Sequence, residues 1–212
     1  MAMPGELTFA QAPPPMRFPE SEQVPETKQH FRLRTLLYEV LALAFGDHAT
    51  IGSDQFMYWD PTEPKACLAP DAFVRLGAPD HLFRSWKVWE NGAPQLAIEV
   101  ISASDERDLA WDDKLQRYRR LGVLELIRFD PEAAEPTRML RIWDAVEGDL
   151  VEREINGSAT PSRVLPGHWL IAQDATLGPA LRLSRDALGA SLYLTPTERM
   201  HQLEAELSRR GE

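Results

Sequence analysis

Leu96-Ala97-Ile98-Glu99-Val100-Ile101 is an apolar run, rich in β-branched residues, with a single acid near its centre. A run of this length and composition reads as a buried strand. An ionised carboxylate is rarely buried unless a cation, a metal or hydrogen-bond donors meet it, so Glu99 needs a partner. Upstream, Asn91-Gly92-Ala93-Pro94 is a turn signal. Downstream, Asp112 to Leu121 carries Leu115, Tyr118 and Leu121 at three-residue steps and stops at Gly122, which predicts a helix. Val123 to Phe129, closed by Asp130-Pro131, reads as the next strand. The order strand, helix, strand across residues 95–130 predicts a crossover unit inside a mixed sheet.

Further out, Leu33, Leu36, Leu37, Val40, Leu41 and Ala44 recur at helical spacing before Gly46, giving a first helix over about residues 26–45. Phe56 to Trp59 and Ala72 to Leu76 read as short strands, the second directly after Pro70-Asp71. Arg138 to Trp143 and Leu150 to Ile155, separated by Glu147-Gly148-Asp149, read as a hairpin. The fold class expected is α/β, a mixed sheet with a helix on each side and extra β-hairpins. Residues 1–27 hold Pro4, Pro13, Pro14, Pro15, Pro19 and Pro25 and read as a flexible or extended arm; residues 28–195 form the domain. Residues 196–212 set Met200, Leu203 and Leu207 between charges. They make a C-terminal amphipathic helix too short to stand alone, which either packs back on the domain, the arrangement expected, or meets a copy of itself.

The 212 residues, 43% hydrophobic and 26% charged, describe an ordinary soluble globular domain. Cys67 is the single cysteine, which excludes an intramolecular disulfide or a thiolate zinc cluster and fits a reducing cytoplasm. No stretch is apolar for long enough to span a membrane, and the N-terminus lacks a signal-peptide layout. The net charge of −10 argues against a constitutive, non-specific nucleic-acid binder. It leaves room for a nuclease whose local cations, such as Arg117, Arg119 and Arg120, face a phosphodiester, although such runs are more often solvated helix faces.

The chemistry-bearing residues are then Asp71, Glu99 and Lys114. Hydrolysis of a phosphodiester needs a cation to neutralise developing charge and to acidify an attacking water. Magnesium takes hard oxygen ligands, commonly one or two carboxylates plus water and substrate oxygens, so two acids suffice. A nearby lysine orients the water or balances transition-state charge. Two readings compete from the same residues: a turn acid at Asp71 with a buried ion pair at Glu99, and a carboxylate-pair glycosidase, which needs two acids but neither lysine nor metal.

The ordered set Pro70-Asp71, Ile98-Glu99-Val100-Ile101-Ser102, Lys114 with Tyr118, Gly122-Val123 and Phe129-Asp130-Pro131 resembles the Uma-two restriction-endonuclease family, in the PD-(D/E)XK nuclease superfamily. The resemblance covers about residues 30–170. It implies a restriction-endonuclease-like fold and a divalent-metal-dependent endonuclease acting on DNA, with Mg2+ as cofactor and Mn2+ as a substitute. It also implies Asp71, Glu99 and the Val100 backbone carbonyl as metal ligands. In the superfamily's usual motif the lysine follows the second acid by two residues. Ile101 stands there in this chain, so the resemblance implies that Lys114 reaches back from the following helix. His30 matches a histidine often found in the family's first helix and is a candidate to line the site. Glu39 is a weaker one, since it lies off the apolar stripe. Ser102 reads first as a turn or cap residue and Tyr118 as core packing. Glu125-Leu126-Ile127 departs from the family's usual Glu-Tyr-Trp, and Asp105, Glu106 and Asp108 replace a more usual single acid before the lysine. Trp111, Trp143 and Trp169 read as core or sheet-face aromatics. The superfamily's habit of cutting both strands as dimers implies a homodimer, whose interface no sequence feature fixes. The alternative function is a catalytically silent nuclease-fold binding or scaffold protein.

Overall fold

The structure is a computed structural model that describes residues 26–102 and 110–210. The proline-rich arm before Glu26 and the acids Asp105, Glu106 and Asp108 lie outside the described residues.

Helix α1 (Lys28–Phe45) begins where Thr27, in an extended conformation, accepts a hydrogen bond from the His30 N–H at its side-chain oxygen. The strands β1 (Ala49–Gly52), β4 (Ala72–Leu76), β6 (Leu96–Val100), β7 (Glu125–Phe129), β8 (Leu140–Val146) and β9 (Asp149–Glu152) form a six-stranded sheet in the order β1-β4-β6-β7-β8-β9. Every neighbouring pair is antiparallel except β6 and β7, which run parallel with Ile98 opposite Ile127 and Glu99 opposite Arg128. The connection between them is helix α3 (Trp111–Leu121), so the crossover unit lies where the sequence placed it. Gly122 ends α3 in the left-handed conformation, φ 88°, and its N–H returns to the Tyr118 and Arg119 carbonyls.

Side chains alternate along a strand, so β6 and β7 send residues to two cores. Ile98, Val100, Ile127 and Phe129 join Leu33, Leu37 and Leu41 of α1 on one face. Ala97 and Leu126 join Tyr118 and Leu121 of α3 on the other. Each Leu buried by α1 contributes about 1.5–3 kcal/mol by removal from water. Truncating the buried Leu37 to Ala would cost roughly 2–5 kcal/mol.

Two smaller sheets complete the molecule. On the α3 side, β2 (Met57–Tyr58) lies between β3 (Cys67–Leu68) and β5 (Trp86–Lys87), which leads into the single-turn helix α2 (Val88–Asn91). On the α1 side, β10 (Ala159–Pro161), β11 (His168–Asp174) and β12 (Gly178–Ser184) form an antiparallel meander whose Trp169, Leu181 and Leu183 enter the α1 core. This meander and β1 are additions to the sequence reading. The predicted strand over Arg138–Trp143 starts late, because Pro136 opens the single-turn helix α4 (Pro136–Met139). The β8–β9 hairpin turns through Glu147 and Gly148, both at positive φ (51° and 84°), the backbone demanded by a two-residue turn between twisted strands. Helix α5 (Pro196–Arg210) is anchored at its start by Glu198, which pairs with the buried Arg182 and accepts from the Thr195 N–H. Met200, Leu203 and Leu207 remain exposed, so this helix does not lay its apolar stripe on the domain as expected. No helix among the described residues is long and apolar enough to cross a membrane.

Candidate active site

Asp71, Glu99, Val100 and Lys114 meet at the carboxyl end of β6. Asp71 lies just before β4, one step beyond the Ala72–Ile98 pair, and its Oδ2 accepts a 2.8 Å hydrogen bond from the Val100 N–H. That bond fixes the carboxylate against the strand that carries Glu99. Glu99 is 5% exposed. One of its oxygens accepts from Lys114 Nζ at 3.1 Å and the other from the Tyr118 hydroxyl, both side chains projecting from α3. Lys114 and Tyr118 are four residues apart on that helix and so share a face. Tyr118 is thus a fully buried core residue whose hydroxyl serves the acid.

Burial is the largest influence on Glu99 and favours its neutral form; Lys114 opposes it and the Asp71 charge reinforces it. Tyr118 opposes it as well, and the carboxyl is pushed up to about 7. The Asp71 charge is thus felt at Glu99 from the neighbouring chain segment, Asp71 preceding β4 and Glu99 lying in β6.

Helix α1 supplies the other side. His30 Nε2 lies 2.9 Å from the Val100 carbonyl oxygen and 3.3 Å from Asp71 Oδ1, while Nδ1 lies 3.2 Å from Glu26 Oε1. Burial disfavours the imidazolium, but Asp71, Glu26 and the Val100 carbonyl outweigh it and raise the imidazole to about 9. Arg34 donates to Glu26 Oε1 at 2.8 Å and to Ser53, and lies 3.9 Å from Asp71 Oδ1. His30 and Arg34, four residues apart, share one side of the helix, and Glu26, just before the Thr27 cap, reaches both. The sequence reading singled out His30 and Glu39 on this helix and not Arg34, whose place beside Asp71 shows only in the fold. Glu39, half-buried further along α1, makes no hydrogen bond or ion pair with this cluster among the described residues.

The donors suited to a hard cation are two carboxylates and one backbone carbonyl. Among the described residues no group of three or more His, Cys, Asp or Glu side chains is arranged to hold a metal. Two carboxylates with a backbone carbonyl are the kind of sparse protein donor set that hard divalent cations accept.

The family model described as "Putative restriction endonuclease", Uma2, matches residues 20–176. The chain belongs to the Uma2 family. β12 and α5 lie beyond the matched segment. Among solved structures, the chain is similar to a putative nuclease belonging to DUF820 from Anabaena variabilis, at 12% identity and a TM-score of 0.43, over 65% of this chain and 73% of that one. No functionally curated protein matches the sequence.

Proposed function

We propose that this Uma2 protein is a divalent-metal-dependent endonuclease that hydrolyses phosphodiester bonds in DNA, with Mg2+ as its ion and Mn2+ as a substitute. The observation that carries the reading is Lys114 reaching Glu99 from α3, 3.1 Å from the carboxylate, beside an Asp71 tied to the same strand end. A structural ion pair needs neither the second acid nor the histidine on the Val100 carbonyl.

Asp71, Glu99 and the Val100 carbonyl would hold the ion. Bound there, a divalent cation neutralises phosphodiester charge and lowers the pKa of an attacking water. The chain's own groups do the rest. The Val100 N–H aims Asp71, and the Tyr118 hydroxyl aims Glu99. A carboxylate oxygen accepts more than one hydrogen bond, so these contacts leave Glu99 and Asp71 with acceptor capacity. The Lys114 ammonium offsets negative charge as it develops on the phosphoryl oxygens. His30 and Arg34 place positive charge beside Asp71. The setting implied is the cytoplasm, and a homodimer would supply the second cut of a duplex.

One observation favours a second reading, the silent nuclease fold: both Glu99 oxygens and the Val100 carbonyl already have partners within the chain. Lys114→Ala separates the two. In a nuclease it abolishes cleavage of plasmid DNA in Mg2+ or Mn2+ and largely spares metal affinity, because an ammonium is no ligand. In a silent fold the wild type cuts nothing, and the substitution changes only stability.

A further inference from the structure

Glu99 is the first member of a row that crosses the sheet. Its register partner on β7 is Arg128, and the register partner of Arg128 on β8 is Arg141. Partners in register share a face, and this face is the α3 side. The Arg128 guanidinium stacks over Trp111 at the start of α3, 5.4 Å from the ring centre, and Arg141 stacks over Trp143 at 4.8 Å. The two indoles touch, with centroids 5.2 Å apart. Both arginines line a groove of about 800 Å³ that also receives Arg138 and Arg153 and, between them, the acids Asp130, Glu135, Glu152 and Glu154.

We infer that Arg128 and Arg141 form a phosphate track that seats the substrate's sugar-phosphate backbone beside the scissile bond. The inference rests on the nuclease reading of Glu99. Strands lie about 4.8 Å apart, so the row runs roughly 10 Å from Glu99 to Arg141. Each DNA strand carries one phosphate per ~3.4 Å of helix axis, so a row of that length, laid along the axis, covers about three phosphates. Stacking on indole holds each planar fork in place before a ligand arrives, which reduces the ordering cost of binding.

The partners the arginines now hold are of two kinds. Arg153 is committed, its carboxylate partners Glu125 and Asp144 being 0% and 17% exposed. Arg141 instead grips Glu152 through two bonds of 2.7 and 2.6 Å, between side chains 38% and 44% exposed. The fork that takes a carboxylate in two bonds takes a phosphate in the same way. Glu152 thus fills the seat a phosphate would take, and an exposed pair exchanges readily. Arg128 holds Asp130 at 3.1 Å by a single Nη2 contact between side chains each 19% exposed, a more sheltered pair that leaves the rest of the guanidinium fork unused by Asp130. In a chain of net charge −10, the exchangeable Arg141–Glu152 pair lets the track admit a polyanion while leaving no bare cationic surface.

The test is the salt dependence of binding, read by fluorescence anisotropy in EDTA with a labelled duplex and a labelled single strand. Arg128→Gln with Arg141→Gln is compared with wild type, with the paired Lys variants, and with Arg185→Gln, an arginine stacked over Tyr193 that takes no part in lining the groove. Each lost phosphate contact removes about 0.9 from the slope of log K against log salt on duplex DNA, so the Gln pair should lose about 1.8 and bind roughly tenfold more weakly at low salt. The Lys pair should keep most of the slope, Arg185→Gln all of it, and metal affinity by calorimetry should not move. A Gln pair that melts like wild type and keeps its slope overturns the track. So does a wild type that binds neither probe, or polyglutamate competing as well as DNA. Calorimetry reports on the nuclease reading separately: wild type that binds DNA along this slope yet takes up no metal refutes that reading and leaves the track standing.

Discussion

The two central parallel strands each bury a glutamate, at opposite ends, and the two are met in opposite ways. Glu125 opens β7, opposite Leu96, and is fully buried. Arg153, the Ser162 hydroxyl and the Arg163 N–H satisfy its oxygens, and Arg153 continues to Asp144, Thr160 and the Pro161 carbonyl. That network ties the meander to the main sheet. Glu99, near the end of β6, meets one ammonium and one phenol hydroxyl and feels a second acid. A buried acid whose charge is fully answered by a guanidinium and fixed donors reads as architecture. One that burial and a neighbouring acid push toward protonation is held short of its preferred state, the condition under which an added cation gains most.

The largest expected effect sharpens that contrast. Glu125→Ala leaves Arg153 with part of its charge unanswered and should cost about 3–5 kcal/mol of stability, with metal affinity per folded molecule unchanged. Glu99→Gln should cost less, about 1–3 kcal/mol: the amide oxygen still accepts from Tyr118 and the burial cost of a charge disappears, but the amide NH2 meets the Lys114 ammonium donor to donor. It should nonetheless remove metal binding. Urea melts and calorimetry on both variants check this, and equal stability losses would erase the distinction.

The next effect follows from His30. Its imidazole is raised from 6.5 to about 9 in the folded protein, so the folded state holds a proton the unfolded chain has released. That contribution is complete below pH 6.5 and lost as pH rises through 9. Glu99, also raised, acts in a lower window: stability falls as pH climbs from 4.5 to about 7 and then levels. Denaturant midpoints should therefore decline in two stages, and His30→Gln should flatten only the alkaline one. An alkaline decline that survives this substitution would place the titrating group elsewhere.

The β6-α3-β7 unit was legible because its spacing changes from strand to helix and back between firm punctuation, Pro94 before, Gly122 within and Pro131 after. The meander was not. Along β11, Trp169 and Leu170 are both buried while Ile171 and Ala172 are half-buried, so no alternation marks the strand. β1 is four residues long and ends in Gly52. At the site, an acid inside an apolar strand and a lysine on the next helix stood out against their surroundings. Arg34 did not, since a charged residue on a helix is ordinarily solvated, and only the fold reveals that α1 turns this one toward Asp71. Arg128 and Arg141 were hidden for a related reason: their alignment with Glu99 exists only in the register of three strands.

The central claim, that the carboxyl end of β6 is a metal centre, is tested most directly by calorimetric titration of Mn2+ into the wild type and Asp71→Asn at neutral pH. The account predicts uptake by the wild type, abolished by a substitution that keeps the Asp71 side chain's size and removes its charge. No heat of binding at millimolar Mn2+, or undiminished binding by Asp71→Asn in a folded protein, would contradict it.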